Sequence, residues 1–227
     1  MTTARTGKLL RELYERLYQA FGPQGWWPGE TPFEVALGAI LTQNTNWNNV
    51  AKVMARLKAE DRLTAAALTA LPEAELAELI RPSGYYNLKA RRVKSFLTFL
   101  QEEYQGSLKL MMRDSLEKLR PKLLSVKGVG PETADSILLY ALEKPTFVVD
   151  AYTFRILSRH QLAPESCAYE DLRQLFMDHL PADVGLYQEY HGLLVRLGKE
   201  WCRPQPLCSS CFLEGWPEQG PKSKGKR

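Results

Sequence analysis

The sequence predicts an all-α protein, and three observations carry that prediction. Apolar residues recur at helical spacing through most of the chain, and Gly, Pro and Asn interrupt the pattern at helix-length intervals. The one extended, β-branched run, Pro145-Thr146-Phe147-Val148-Val149, is too short for a sheet of its own and has no strand partner in the sequence. Residues 6–21 place Leu9, Leu10, Leu13, Leu17 and Phe21 on one helical stripe, and Gly22-Pro23 stops it. A loop with an aromatic pair follows, Gln24-Gly25-Trp26-Trp27-Pro28-Gly29. Thr31-Pro32-Phe33-Glu34 then has the pattern of a capping box with Pro at the first helical position. The helix it opens, FEVALGAILTQ, is apolar almost all round and is expected to be the buried central helix. Asn44-Thr45-Asn46 breaks it, and an amphipathic helix runs from Trp47 to Lys58.

Short helices are expected over 64–70 and 73–80, a turn at Pro82-Ser83-Gly84, and a long helix from Tyr85 to Tyr104 carrying Lys89, Arg91, Arg92 and Lys94. Residues 113–126 read as two short helices, and a tight turn, Val126-Lys127-Gly128-Val129-Gly130-Pro131, leads into a helix from Glu132 to about Glu143. Asp150 precedes the helix AYTFRILSRH, and helices over 168–180 and 184–201 complete the pattern. From Pro217 the Gly, Pro and Lys content predicts a disordered basic tail over 217–227.

Length and composition narrow the function classes. At 227 residues, 44% hydrophobic and 25% charged, the chain can bury a sizeable core. A net charge of +4 permits a polyanionic partner without demanding one. There is no apolar run of membrane-span length and no signal-peptide core, so a cytoplasmic protein is expected. Four cysteines are too few for a disulfide framework, and three of them, Cys202, Cys208 and Cys211, crowd the C-terminus.

The hairpin LLSVKGVGPETADSILLYAL has the chemistry of an anion site. Gly128 and Gly130 are expected to turn the backbone with positive φ, and Pro131 leaves the amides of the next helix pointing outward. Such a nest suits one DNA phosphate, held without reading sequence; a plain helical corner would look the same. Asp150 lies behind an apolar segment at the start of a helix. A carboxylate there can stabilise a developing cation or orient a water, and taken alone the commoner reading is a simple N-cap.

Taken together, these segments resemble the endonuclease III superfamily of DNA glycosylases. Residues 124–156 are similar to that family's helix–hairpin–helix, Gly/Pro-rich loop and aspartate. Leu41-Thr42-Gln43-Asn44-Thr45 is similar to its segment carrying a gap-filling glutamine, and Arg81-Pro82-Ser83-Gly84-Tyr85-Tyr86-Asn87-Leu88-Lys89-Ala90 to its second DNA-facing segment. The resemblance implies a two-domain all-helical fold with double-stranded DNA in a cleft between the domains. One domain would be contiguous, over 30–143, and the other would join 1–29 to 144–216. It implies a monomer that flips a damaged nucleotide, with Asp150 catalytic, Gln43 filling the stack, and Gly128, Gly130, Lys89, Arg91 and Arg92 on the phosphates.

Bifunctional members of the family carry a Schiff-base lysine two residues past the second glycine. Glu132 stands at that position, and Lys127 lies on the other side of the turn. An acid cannot form a Schiff base, so a monofunctional glycosylase is expected, with Glu132 near the reacting centre. Trp26-Trp27-Pro28, Trp47 and Lys199 match the base pocket of the bacterial 3-methyladenine DNA glycosylase III subgroup, which implies an alkylated purine. An indole face attracts such a cationic base by about 0.5–2 kcal/mol. Two other readings stand beside this one: a glycosylase/lyase for oxidised pyrimidines, and a DNA-binding module without catalysis.

Cys202-x5-Cys208-x2-Cys211 resembles the family's C-x6-C-x2-C-x5-C iron–sulfur loop, with the first gap one residue short and Pro217 at the fourth position. A [4Fe–4S] cluster on these three cysteines, or a decayed loop with free thiols, are the two readings it leaves.

Overall fold

The computed structural model describes residues 3–217, so the tail expected over 217–227 lies almost wholly outside the described residues. Among the described residues there are twelve α-helices and no strand, in keeping with the all-α prediction. The chain divides into two compact units. One joins residues 1–26 to 147–227, and the other is continuous over 27–146. The sequence-based boundaries, at 29/30 and 143/144, differ from these by three residues at each crossing.

The discontinuous unit begins with α1 (Thr3–Phe21). Its Leu10, Leu13 and Leu17 are fully buried, and it ends where Gly22 takes φ +68° and donates to the Tyr18 carbonyl at 2.8 Å. The extended segment Phe147-Val148-Val149 is buried and delivers the chain to α10 (Ala151–Arg159). α11 (Tyr169–His179) and α12 (Val184–Glu200) follow. The core is aromatic. Phe147 stacks on Phe176 with centroids 3.7 Å apart, and the edges of Tyr187 and Tyr190 close around Phe147. The buried Tyr190 hydroxyl donates to the Leu10 carbonyl at 2.8 Å, tying α12 to α1 across 180 positions of sequence. At the crossing of α10 and α12, a Cβ on Gly198 would collide with the Tyr152 ring, so glycine permits that close approach.

The continuous unit is built on α2 (Pro32–Leu41), buried from Glu34 to Leu41 as its all-round apolarity predicts. Thr31 caps it, its hydroxyl accepting from the Glu34 amide at 3.2 Å. The expected reciprocal bond is absent. The Glu34 carboxylate instead accepts from the Glu30 amide at 3.0 Å and pairs with Lys58 at 3.0 Å. α3 (Trp47–Ala59), α4 (Ala65–Ala70) and α5 (Glu73–Leu79) lead through a 3₁₀ turn, Arg81–Ser83, to α6 (Tyr86–Tyr104). The two short helices expected over 113–126 are instead α7 (Leu108–Met111) and α8 (Leu116–Ser125). After the hairpin, α9 (Pro131–Ser136) does not continue regularly to Glu143: a π-helical turn, Ile137–Ala141, replaces its second half.

Candidate functional site

Three of the predicted DNA-facing residues, Gln43, Arg92 and Gly128, converge in the continuous unit. Gly128 adopts φ +91°, and a Cβ there would overlap the Arg92 side chain. Arg92 in turn donates to the Gln43 amide oxygen, and the Gln43 nitrogen donates to the Gly128 carbonyl at 3.1 Å and to the Thr133 hydroxyl at 2.9 Å. One network therefore joins the α2–α3 loop, α6 and both sides of the hairpin. Gln43 is folded back on the hairpin instead of projecting from it. Gly130 corrects an expectation: its φ is −91°, an extended conformation open to any residue, and a Cβ there meets nothing within 4 Å. The N-terminus of α9 has no side-chain cap, and Glu132 stands exposed in its first turn. Gly128→Ala is expected to cost about 1–3 kcal/mol in strain and to weaken duplex binding by dislodging Arg92, read by thermal unfolding and DNA titration.

A second correction concerns Lys89. It was expected on a DNA phosphate, but it is 1% exposed and donates to the carbonyls of Leu41 at 2.9 Å and Ser83 at 2.6 Å. Burial, with Arg92 nearby, pushes its pKa down to about 8. It braces the two loops that precede α3 and α6 and cannot reach a phosphate from there. Arg91 is exposed on α6. The sequence reading missed Tyr85, 70% exposed, in a left-handed conformation at φ +47° directly after Gly84. A bulky residue held there is strained, and the Gly-Tyr step after a turn was the signal for it.

The same unit carries an aromatic cluster. Trp27 meets Trp47 edge to face at 5.4 Å and lies 5.4 Å from Tyr140, which the π-helical turn presents. Gly38 on α2 underlies both tryptophans: a Cβ there would come within 3.2 Å of Trp27 and 3.3 Å of Trp47. Trp27 and Trp47 are half-buried, and Pro28 is exposed beside them. Behind α9, the fully buried Asp135 accepts two bonds from the Arg120 guanidinium, at 2.9 and 3.0 Å, and one from the Thr146 hydroxyl at 2.9 Å. This fork fastens α8, α9 and the segment leading out of the unit.

In the discontinuous unit, Asp150 is both a helix cap and a poised carboxylate. Its Oδ1 accepts from the Thr153 amide at 2.8 Å and hydroxyl at 2.9 Å, and its Oδ2 lies 3.7 Å from Nε2 of the buried His191. Burial works to raise its pKa, but His191 and the Thr153 donors outweigh it, so the group lies below its ordinary value and stays ionised. Trp26 packs over Gly192 on α12, where a Cβ would come within 3.0 Å of the Trp26 Cβ. The ammonium of Lys199 sits 5.3 Å from the Trp26 ring centroid. The division between the units falls between Trp26 and Trp27, so the two belong to different bodies.

Cys202, Cys208 and Cys211 line one cavity of about 460 Å³ in the discontinuous unit; Cys167 does not line it. Arg159 donates to the Cys202 sulfur at 3.4 Å. Among the described residues, no three His, Cys, Asp or Glu side chains are placed to hold a single metal ion.

The chain matches the HhH-GPD superfamily base excision DNA repair proteins over residues 37–182. It is 46% identical, over 91% of its length and 94% of the relative's, to a Methanocaldococcus jannaschii protein assigned by name to the DNA repair glycosylases. It is 34% identical to endonuclease III of Thermotoga maritima, over 81% of each chain. The structure of the H. pylori 3-methyladenine DNA glycosylase bound to 1,N6-ethenoadenine superposes with a TM-score of 0.71 and 30% identity, over 88% of this chain and 98% of that one. With a helix–hairpin–helix, a following aspartate and these likenesses in hand, the chain belongs to the HhH-GPD superfamily and is a base excision repair DNA glycosylase.

Proposed function

We propose that this glycosylase is monofunctional and acts as a monomer on duplex DNA, hydrolysing the N-glycosidic bond of a flipped alkylated purine. The observation that carries the reading is Glu132 in the first turn of α9, where the family's lyases place a lysine; Asp150, ionised at the head of α10, supplies the second carboxylate of the reading. A carboxylate cannot form a Schiff base, whereas it can stabilise an oxocarbenium-like sugar and orient water. Asp150 Oδ1 accepts from Thr153 and Oδ2 faces His191, which together hold the carboxylate ionised for the sugar and the water. The hairpin amides and Arg92 take phosphates, and Gln43 leaves its bonds to Gly128 and Thr133 to fill the stack.

Trp27 and Trp47 support the alkylated purine, because an electron-rich aromatic cluster favours a cationic base. The 3-methyladenine glycosylase likeness points the same way. Trp26 is less available to a cation, since Lys199 already lies over its ring. The iron–sulfur loop is read as holding a structural [4Fe–4S] cluster on Cys202, Cys208 and Cys211. The cluster would supply a rigid fold for the loop and takes no part in base release.

The test is a panel of lesion duplexes, assayed with and without alkali, alongside borohydride trapping. The expected outcome is release of alkylated purines, strand cleavage only after alkali, and no trapped adduct. Cleavage without alkali together with a covalent adduct would refute the monofunctional reading. Trp27→Ala is expected to slow excision of a 3-alkyladenine about tenfold or more while leaving abasic-duplex affinity nearly unchanged, by the loss of up to about 2 kcal/mol of cation–π attraction.

A further inference from the structure

A cubane iron–sulfur cluster needs four protein ligands, and the C-terminal loop supplies three thiols. The search for the fourth is confined by the cavity that Cys202, Cys208 and Cys211 share. Cys167 is not in its lining, and Pro217, at the family's fourth position, has no donor. The lining does include His160, the residue that closes α10.

The orientation of His160 is set by its neighbour. Its Nδ1 lies 2.6 Å from the Trp216 carbonyl oxygen. A carbonyl only accepts, so Nδ1 carries the proton and donates, and the neutral ring keeps its lone pair on Nε2. Fixing one imidazole nitrogen on a backbone carbonyl is the usual way a protein prepares the other as a metal ligand. Trp216 is itself anchored: its indole N–H donates to Glu12 at 2.8 Å, and its ring lies 5.4 Å from that of His160.

Three thiols and one imidazole, from Cys202, Cys208, Cys211 and His160, line the same cavity of about 460 Å³. Cationic support is already in place, since Arg159 donates to the Cys202 sulfur at 3.4 Å and holds the carbonyls of Arg203 at 2.6 Å and Pro204 at 2.9 Å.

We infer that His160 Nε2 is the fourth ligand of a [4Fe–4S] cluster on Cys202, Cys208 and Cys211; this rests on the cluster reading given above. Seating a preformed cubane takes one proton to solvent from each of the three thiols. The imidazole adds through its lone pair and loses none.

The experiment uses the full chain purified without oxygen, analysed for iron, zinc and acid-labile sulfide. Frozen protein is then reduced by γ-irradiation, so that a low potential does not hide the signal, and examined by pulsed electron paramagnetic resonance with and without ¹⁵N-histidine. The expected result is one cubane per chain, with a strong histidine nitrogen coupling that changes on ¹⁵N labelling. His160→Cys is expected to keep the cluster and lose that coupling. His160→Ala is expected to lose iron to a chelator about tenfold faster or more. A cluster without nitrogen coupling in the unaltered protein overturns the His160 assignment and leaves the three-cysteine cluster standing. Protein without iron and sulfide, or with one zinc per chain, overturns both.

Discussion

Asp150→Asn is expected to lower the single-turnover rate of base release by about 10²–10³-fold while costing no more than about 1 kcal/mol of stability. The two halves of that result have separate causes. Asn caps a helix about as well as Asp, so the bonds from Thr153 to the side-chain oxygen survive and α10 keeps its start. The negative charge does not survive, and preorganised charge at a developing cation is worth that range of rate. A DNA-binding module without catalysis would lose nothing on this substitution. The pH profile adds a second reading. The folded carboxyl lies below its ordinary value of 3.8. Its contribution to stability is therefore complete above that value and is lost as pH falls through the lower, folded pKa. The midpoint of any acid limb that this group gives base release should accordingly lie below pH 3.8. His191→Phe removes one of the two influences that overcome burial, and the acid limb should move upward.

Asp135→Ala is expected to cost about 3–5 kcal/mol, read as a shift of the urea midpoint at constant slope. Asp135 is fully buried and joined to Arg120 by two bonds and to Thr146 by a third, so truncation takes a carboxylate from a guanidinium that is itself only 16% exposed. Replacing both charged partners with apolar residues of similar volume, Arg120→Met with Asp135→Leu, should recover much of the loss, because the desolvation cost disappears with the pair. The single variant should also loosen the hairpin and weaken duplex binding. The double variant tests whether the hairpin needs the ion pair itself or only a filled space.

These two aspartates show what the sequence makes legible. Asp150 stood out because its role is local: an apolar run delivers it, and the cap partner is three residues on. The leucine stripe of α1, the Thr31 cap and the burial of α2 were readable for the same reason. Asp135 was not, because its partner lies fifteen residues back across a turn, and nothing in either segment names the other. Lys89 misled for a related reason. It belongs to a basic stretch that looks solvated, and what buries it is a pair of backbone carbonyls, which carry no residue signature. The π-helical turn that presents Tyr140 sits in an unbroken apolar run, where periodicity is silent. Gly130 proved to need neither a glycine torsion nor a close approach.

The bond from Tyr190 to Leu10 also bears on how the chain is made. α1 leaves the ribosome well before α12, whose Tyr190 bonds back to Leu10 from 180 positions further on. Until α11 and α12 emerge the nascent chain displays a greasy stripe without its native cover, while residues 27–146 are free to fold as a unit. A stop codon before α11 would leave that stripe permanently bare, a substrate for holdase chaperones and proteases. Truncated products should thus be cleared from the cell instead of accumulating as partial enzymes.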